Sequence, residues 1–343
     1  MKSLLKYLSP FAPDLAGAVS VLFELDGVIV ICDAGGCTGN ICGFDEPRWF
    51  TRKSALFSAA LRDMDAILGR DRLLADKLIA AAETSNRKFM AVIGSPVPAV
   101  IATDFSALQR MCSKALDIPV IALEASGTQY YEVGASQAYM SLFKTFAVQN
   151  LPVRPGTVGV LGAAPLDYST LNAAKLIKSK LDGDVRVYGM DGTLDDVAAA
   201  SEVERNIVVS PAGLKAAEYL LKKFNTPYNI AAPGIADNLE IPDLAGKKVL
   251  IVHQAFAAEE LKKSILDKYP GGQVECGSFF HALSRICDHK FSSEDDFRKL
   301  FEENSFDVVF ADKAFERIVQ NIYQGQWIDF PHFAVSGRLL EEL

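Results

Sequence analysis

Residues 27–50 read GVIVICDAGGCTGNICGFDEPRWF, an apolar β-branched run that passes straight into a glycine-rich segment holding three of the six cysteines. Val28, Ile29, Val30 and Ile31 are too few for a typical helix, and bounded by glycine they predict a fully buried strand. The glycine-rich segment then starts at that strand's carboxyl end, where ligands and cofactors sit in open α/β sheets. Cys32, Cys37 and Cys42 follow one another as C-x4-C-x4-C, interleaved with Gly35, Gly36, Gly39 and Gly43. Glycines let a loop fold tightly and aim its N–H groups inward, and three thiolates on such a loop suit a soft metal or an iron–sulfur cluster. The plainer alternative is that small buried cysteines pack a tight loop.

Working outward, the 343 residues exceed what one hydrophobic core usually supports, so two or three domains are expected. Half of the residues are hydrophobic, which excludes a disordered chain. A net charge of -8 argues against a nucleic-acid partner, because such proteins carry basic patches that release phosphate counterions. No run approaches the roughly 18 apolar residues that a membrane span needs. The start, MKSLLKYLSPFAPDL, breaks its apolar portion with lysine and does not read as a signal peptide. A cytoplasmic protein is expected, with its cysteines as free thiols or metal ligands.

The rest of the chain alternates strand and helix signals, and the fold class expected is α/β: three tandem Rossmann-like domains with mainly parallel sheets. The first, 1–155, has a helix at 16–25, the strand at Gly27, a helix at 53–62, a short apolar segment at 65–68, a helix at 72–82, a strand at 89–93, a helix at 105–116, a strand at 118–123 and a long helix at 132–148. Residues 152–156, PVRPG, read as a linker, since proline and glycine break either regular structure. The second domain, 156–240, contains strands at 157–161, 185–188, 207–209 and 228–231, with helices at 171–181, 194–200 (capped by Thr193) and from Pro211 to 224. The third, 241–343, contains strands at 249–253, 273–276 and 308–311, with helices at 257–268, 297–303 and 314–323.

No nucleotide signature accompanies this fold. VGVLGAAPLDYS, residues 158–169, lacks the G-x-G-x-x-G spacing, and no G-x-x-x-x-G-K-[ST] occurs, so no nucleotide is expected to bind this chain. The cysteine spacing matches no common zinc ribbon, and one loop supplies three thiolates where a 4Fe–4S cluster wants four ligands. The missing ligand would come from elsewhere in the chain, another subunit or a small molecule. Cys112 reads as a core residue. Cys276, His281, Cys287 and His289 cluster loosely in CGSFFHALSRICDHKF, where FFHAL fits a half-buried helix and a second metal site has no standard spacing to support it. Asp45, Glu46 and Arg48 read either as proton donors or docking residues or, more simply, as a solvated turn. His332 would line an interdomain cavity or be a satisfied structural histidine.

The chain resembles the nitrogenase component 1-type oxidoreductases. Asp33-Ala34-Gly35-Gly36-Cys37 stands where that family carries a cluster cysteine in a G-x-x-G-C-like context. Further similarities are residues 65–68 with Gly69, SPVPAVIATDF after residue 93, Ile118-Pro119-Val120 leading to Gly127, AGLKAAEYLLKKFNTPY, and the closing FPHFAVSGR. The resemblance implies an iron–sulfur cluster, 4Fe–4S in type and shared between subunits, held by Cys37 with Cys32 and Cys42. It also implies a homodimer or a heterodimer with a similar subunit, a separate ATP-hydrolysing iron–sulfur reductase that delivers low-potential electrons, and a small-molecule substrate. Two departures stand out. Ser95 occupies a position where the family usually has a cysteine, and residues 151–240 contain neither cysteine nor histidine, so dinitrogen reduction itself is not expected. The alternative within the family is a non-catalytic scaffold that assembles or transfers a metal cluster or metallated cofactor.

Overall fold

The computed structural model describes residues 5–52, 54–281 and 286–340. Three parallel sheets carry the fold. The first contains β1 (Gly27–Ile31), β2 (Ala55–Ser58), β3 (Phe89–Ile93) and β4 (Val120–Leu123) in the order β2-β1-β3-β4. The second contains β5 (Arg154–Leu161), β6 (Asp184–Val187), β7 (Val203–Val208) and β8 (Tyr228–Ile230) in the order β6-β5-β7-β8. The third contains β9 (Lys248–Val252), β10 (Gln273–Ser278), β11 (His289–Lys290), β12 (Val308–Ala311) and β13 (Gln326–Asp329) in the order β11-β10-β9-β12-β13. No helix among the described residues is long and apolar enough to cross a membrane.

β1 shows why the apolar run is continuous rather than alternating: helices cover both faces of its sheet. Ile29 and Ile31 pack with Leu22, Tyr139 and Leu142 on one face, whereas Val28, Val30 and Cys32 pack with Leu78, Met90, Leu108 and Cys112 on the other.

Two expectations fail at weakly patterned stretches. Residues 53–62 are not a helix, because Ala55–Ser58 pairs in parallel with β1 as the edge strand. Residues 152–156 are not a free linker, because Arg154 already opens β5. Pro155 and Gly156, with φ +77° at the glycine, sit where the register with β7 shifts between Arg154 and Val158. An irregular strand start tolerates a proline that a regular ladder would not.

The helices Asp14–Leu22 and Tyr131–Phe146 cross at two glycines. A Cβ on Gly17 would overlap the carbonyl oxygen of Tyr131, and one on Gly134 would overlap that of Asp14. Neither obstacle is a movable side chain, so Gly17→Ala or Gly134→Ala must separate the two helices. Either change is expected to cost about 1–3 kcal/mol in urea denaturation, the usual penalty of overpacking. A variant with an unchanged midpoint would show that the crossing is looser than its geometry.

Candidate functional site

The order of the first sheet reverses direction between β1 and β3, so the segments leaving their carboxyl ends diverge and open a crevice there. After β1, the buried carboxylate of Asp33 gathers the chain: it accepts from the Thr38 N–H at 2.8 Å, the Thr38 hydroxyl at 3.0 Å and the Ser58 hydroxyl at 2.5 Å. Gly35, at φ +114°, makes a turn that an L side chain resists, and the short helix Gly36–Asn40 starts from it. A π-helical turn, Ile41–Asp45, follows, with Ile41 as its buried plug. Single π turns recur at functional sites. A Cβ at Gly36, Gly39 or Gly43 would meet nothing within 4 Å, so the backbone of this segment is open to close approach.

The three cysteines do not converge. Cys32 continues the alternation of Val28 and Val30 into the core beside Cys112 and is fully buried. Burial, reinforced by the charge of Asp33, pushes its thiol up to about 12. Cys37 and Cys42 lie on the short helix and the π turn, half-buried and packed on the other apolar cluster. Burial and Asp33 raise the Cys37 thiol while the nearby Ser95 hydroxyl pulls it down. Burial also raises Cys42, with Glu46 adding to it. Ser95 is fully buried and donates to the Cys32 carbonyl at 2.7 Å. Among the described residues no group of three or more His, Cys, Asp or Glu side chains is placed to hold a metal ion. That includes His281, Cys287 and His289. The His281 N–H donates to Glu132 at 2.7 Å, Cys287 is buried, and His289 pairs with Glu275 at 2.6 Å.

The segment after Cys42 is no solvated turn. Arg48 is fully buried and spends its guanidinium on Glu46 (2.7 and 2.6 Å), Glu24 (3.0 Å), and the carbonyl (2.6 Å) and hydroxyl (3.1 Å) of Ser20. Phe23 lies beneath it, with the ring centroid 5.0 Å away. Burial opposes its charge, but Glu46 and Glu24 outweigh that and keep the guanidinium protonated. The network ties the cysteine segment to the helix Asp14–Leu22. Asp45 is half-buried, held by the Asn40 amide at 2.8 Å, and burial pushes its carboxyl up to about 6. An open cavity of about 1000 Å³ begins at this segment and reaches the carboxyl edge of the third sheet. Asn40, Gly43, Phe44 and Asp45 line one part, Phe11 and Pro10 another, and Lys313, Arg317 and Arg338 a third.

A sequence model of the family described as nitrogenase component 1 type oxidoreductase matches residues 13–237, well over half of the chain. The chain belongs to this family. Two solved structures are similar across nearly all of it. "Nitrogenase Cp1 at pH 6.5" superposes with a TM-score of 0.71 at 12% identity, covering 95% of this chain and 87% of that one. "Nitrogenase Cp1 at pH 5" gives 0.61 at 16% identity, covering 97% and 78%. At such identities the likeness speaks for the fold. No curated protein matches in sequence.

This component 1-type chain has a second cluster of titratable side chains, buried and assembled from distant positions. The Tyr131 hydroxyl donates to Asp167 at 2.6 Å and lies 3.2 Å from His332 Nε2, and His332 stacks on His253 at 4.2 Å between centroids. His332 is thus fully buried at the junction of the three sheets rather than lining the open cavity. Asp167 follows β5, and His253 follows β9, each at the point where its own sheet reverses order. Asp167 Oδ2, Glu132 Oε1, His253 Nδ1 and His332 Nδ1 are buried without a hydrogen-bond partner among the described residues. Separated by up to two hundred positions, these residues share no local motif.

Proposed function

We propose that this chain is the iron–sulfur-cluster-bearing subunit of a nitrogenase-like oxidoreductase, taking low-potential electrons from a separate ATP-dependent reductase and reducing a small-molecule substrate. The observation that carries this reading is the pair Cys37 and Cys42, half-exposed on a glycine-opened segment at the reversal point of the first sheet. The residues fit half a cluster. Cys37 and Cys42 would hold it, Gly35 and Gly36 would let the backbone come close, and Cys32 would support the segment from the core. Two thiolates per chain make four across a pair of chains, the complement of a 4Fe–4S cluster. Bound there, such a cluster supplies single low-potential electrons.

Large apolar side chains stand exposed in the segments that leave the same sheet. Phe44 (73%), Phe50 (75%), Ile67 (72%) and Val100 (85%) are mostly exposed, and all follow carboxyl ends of β1, β2 or β3. A face of this kind marks an interaction site, and a second similar subunit covering it would shield the cluster from water. The cavity beside the same segment receives the substrate in this reading, with Asp45 on its wall as a carboxyl able to give up a proton near neutrality. The half-set of ligands at an open edge also suits a chain that takes up a cluster and passes it on.

The test is anaerobic purification with iron and sulfide quantification, and electron paramagnetic resonance after dithionite reduction. About one cluster per two chains is expected for the wild type. Cys37→Ala and Cys42→Ala should lose it, whereas Cys32→Ala should keep it. Wild type without iron or sulfide after reconstitution sinks the proposal. Turnover with a low-potential donor favours the enzyme, and cluster transfer to an apo-acceptor without turnover favours the carrier.

A further inference from the structure

Residues 6–12 run towards the first helix as an arm without regular secondary structure, and Leu8 to Pro13 form one continuous stretch of the cavity wall. One end of the arm rests on a single side chain. Glu294, the first residue of the helix Glu294–Glu303 and itself buried, accepts the N–H groups of Lys6 at 2.8 Å, Tyr7 at 3.0 Å and Leu8 at 2.8 Å. Among the described residues these are the only backbone hydrogen bonds of residues 6–11. Lys6 adds an exposed pair with Asp295 at 3.6 Å, which contributes little. The other end is rooted in the core. Phe11 packs against Phe280, Phe279, Tyr130 and Phe315, with ring centroids 5.3, 5.7, 5.9 and 6.1 Å away. Ala12 is bonded on both sides: its N–H donates to the Ala334 carbonyl at 2.8 Å and its carbonyl accepts from the Tyr131 N–H at 3.1 Å.

The two ends differ in what release would cost. Drawing the arm off Glu294 leaves that carboxylate at a helix N-terminus, which favours negative charge, and lets water replace the lost donors. Apart from Leu8, the side chains from Lys6 to Pro10 are already exposed. Pulling out the root would instead break up an aromatic cluster and two main-chain hydrogen bonds. Segments with few buried contacts open locally while the rest of a protein stays folded. We infer that this arm is a strap that opens and closes the cavity, with Glu294 as its catch, Phe11 as its fixed root and the bend falling between them at Ser9 and Pro10. Open, it takes Leu8 and Ser9 out of the wall and widens the entrance. That the molecule entering is a substrate rests on the proposed function, whereas the motion needs neither substrate nor cluster.

Native-state hydrogen exchange on the full chain tests the catch. The amides of Lys6, Tyr7 and Leu8 should exchange together, about a hundredfold or more faster than those of Ala12 and Tyr131, because they open locally. Glu294→Gln should speed them about tenfold further, since a hydrogen bond to a neutral amide is roughly half as strong as one to a carboxylate, and leave Ala12 and Tyr131 unchanged. Protection at residues 6–8 equal to that at Ala12, or a Glu294→Gln effect spread over the whole chain, would overturn the strap. Gating is read from Val335→Cys in a chain whose Cys37 and Cys42 are replaced by alanine. Val335 is buried, lines the cavity and follows Ala334, against which the root is bonded. A bulky maleimide should label the new thiol faster once Glu294→Gln is added, in step with the exchange at residues 6–8. Equal labelling rates would mean that the cavity does not open with the arm, and would overturn the inference. Neither readout needs iron. A strap that opens in a chain unable to bind iron refutes the cluster reading alone, while a cluster-bearing chain whose residues 6–8 stay locked refutes the strap alone.

Discussion

Arg48→Ala is expected to cost about 3–5 kcal/mol of unfolding free energy, the penalty of removing one partner from a buried ion pair. Glu46 is only 1% exposed and would be left buried with no guanidinium to answer it. The Ser20 carbonyl and hydroxyl would lose their donor as well. The alanine also leaves a cavity over Phe23. Arg48→Lys should recover little, since one ammonium cannot reproduce the planar fork that bonds both Glu46 oxygens. Arg48→Met combined with Glu46→Gln should recover most of the loss, because the double change removes the stranded charge along with its partner, while Glu24 keeps Arg52 at 2.6 Å. Urea denaturation of the four proteins measures this directly. A single variant that loses less than about 1 kcal/mol would mean that water reaches Glu46, and that the network is a surface pair in energetic terms.

The same network explains what could be read in the sequence and what could not. Residues 89–93 and 308–311 were expected as strands and are strands to the residue, because each is a short apolar run, rich in β-branched residues and closed by a breaker or charge. Ala55–Ser58 was hidden: four residues of mixed character become a strand only because β1 offers its edge. The cysteine segment is legible as a special place, and the fate of Cys32 follows from the alternation of the strand before it. The alternation that buries Val28 and Val30 on one face carries Cys32 with them. Glu46 and Arg48 could not be placed, since a charged pair looks alike in solvent and in a core until Ser20, Phe23 and Glu24 are known to surround it. Tyr131, Asp167 and His253 were invisible for a related reason. Each comes from a different sheet region, and only the packing of three sheets gives them a common address.

That common address makes the second large effect a pH dependence. Burial pushes the Asp167 carboxyl from its ordinary 3.8 up to about 7, with the hydroxyls of Tyr131 and Ser210 offsetting part of the rise. The folded chain therefore binds this proton more tightly than the unfolded chain does. The contribution is full below pH 3.8 and is lost as pH rises through about 7. Glu132, buried beside it, is raised as well and acts in the same direction. The facing imidazoles act oppositely: burial lowers His253 to about 4 and lowers His332 too, so their contribution is full above 6.5 and is lost as pH falls. Asp167→Asn removes that carboxyl's own part of the first dependence and leaves the second. An amide nitrogen without an acceptor at Oδ2 would cost about 1–3 kcal/mol at every pH, so the informative quantity is how the difference between variant and wild type changes with pH. Between pH 4 and pH 8 the variant should gain about 2–4 kcal/mol relative to wild type, since each pKa unit is worth about 1.4 kcal/mol. Urea midpoints collected across that range would reveal it. Parallel curves would mean that Asp167 is ionised in the folded chain, and that the Tyr131 hydroxyl, rather than a bound proton, is what lets a carboxyl group stand where the three sheets meet.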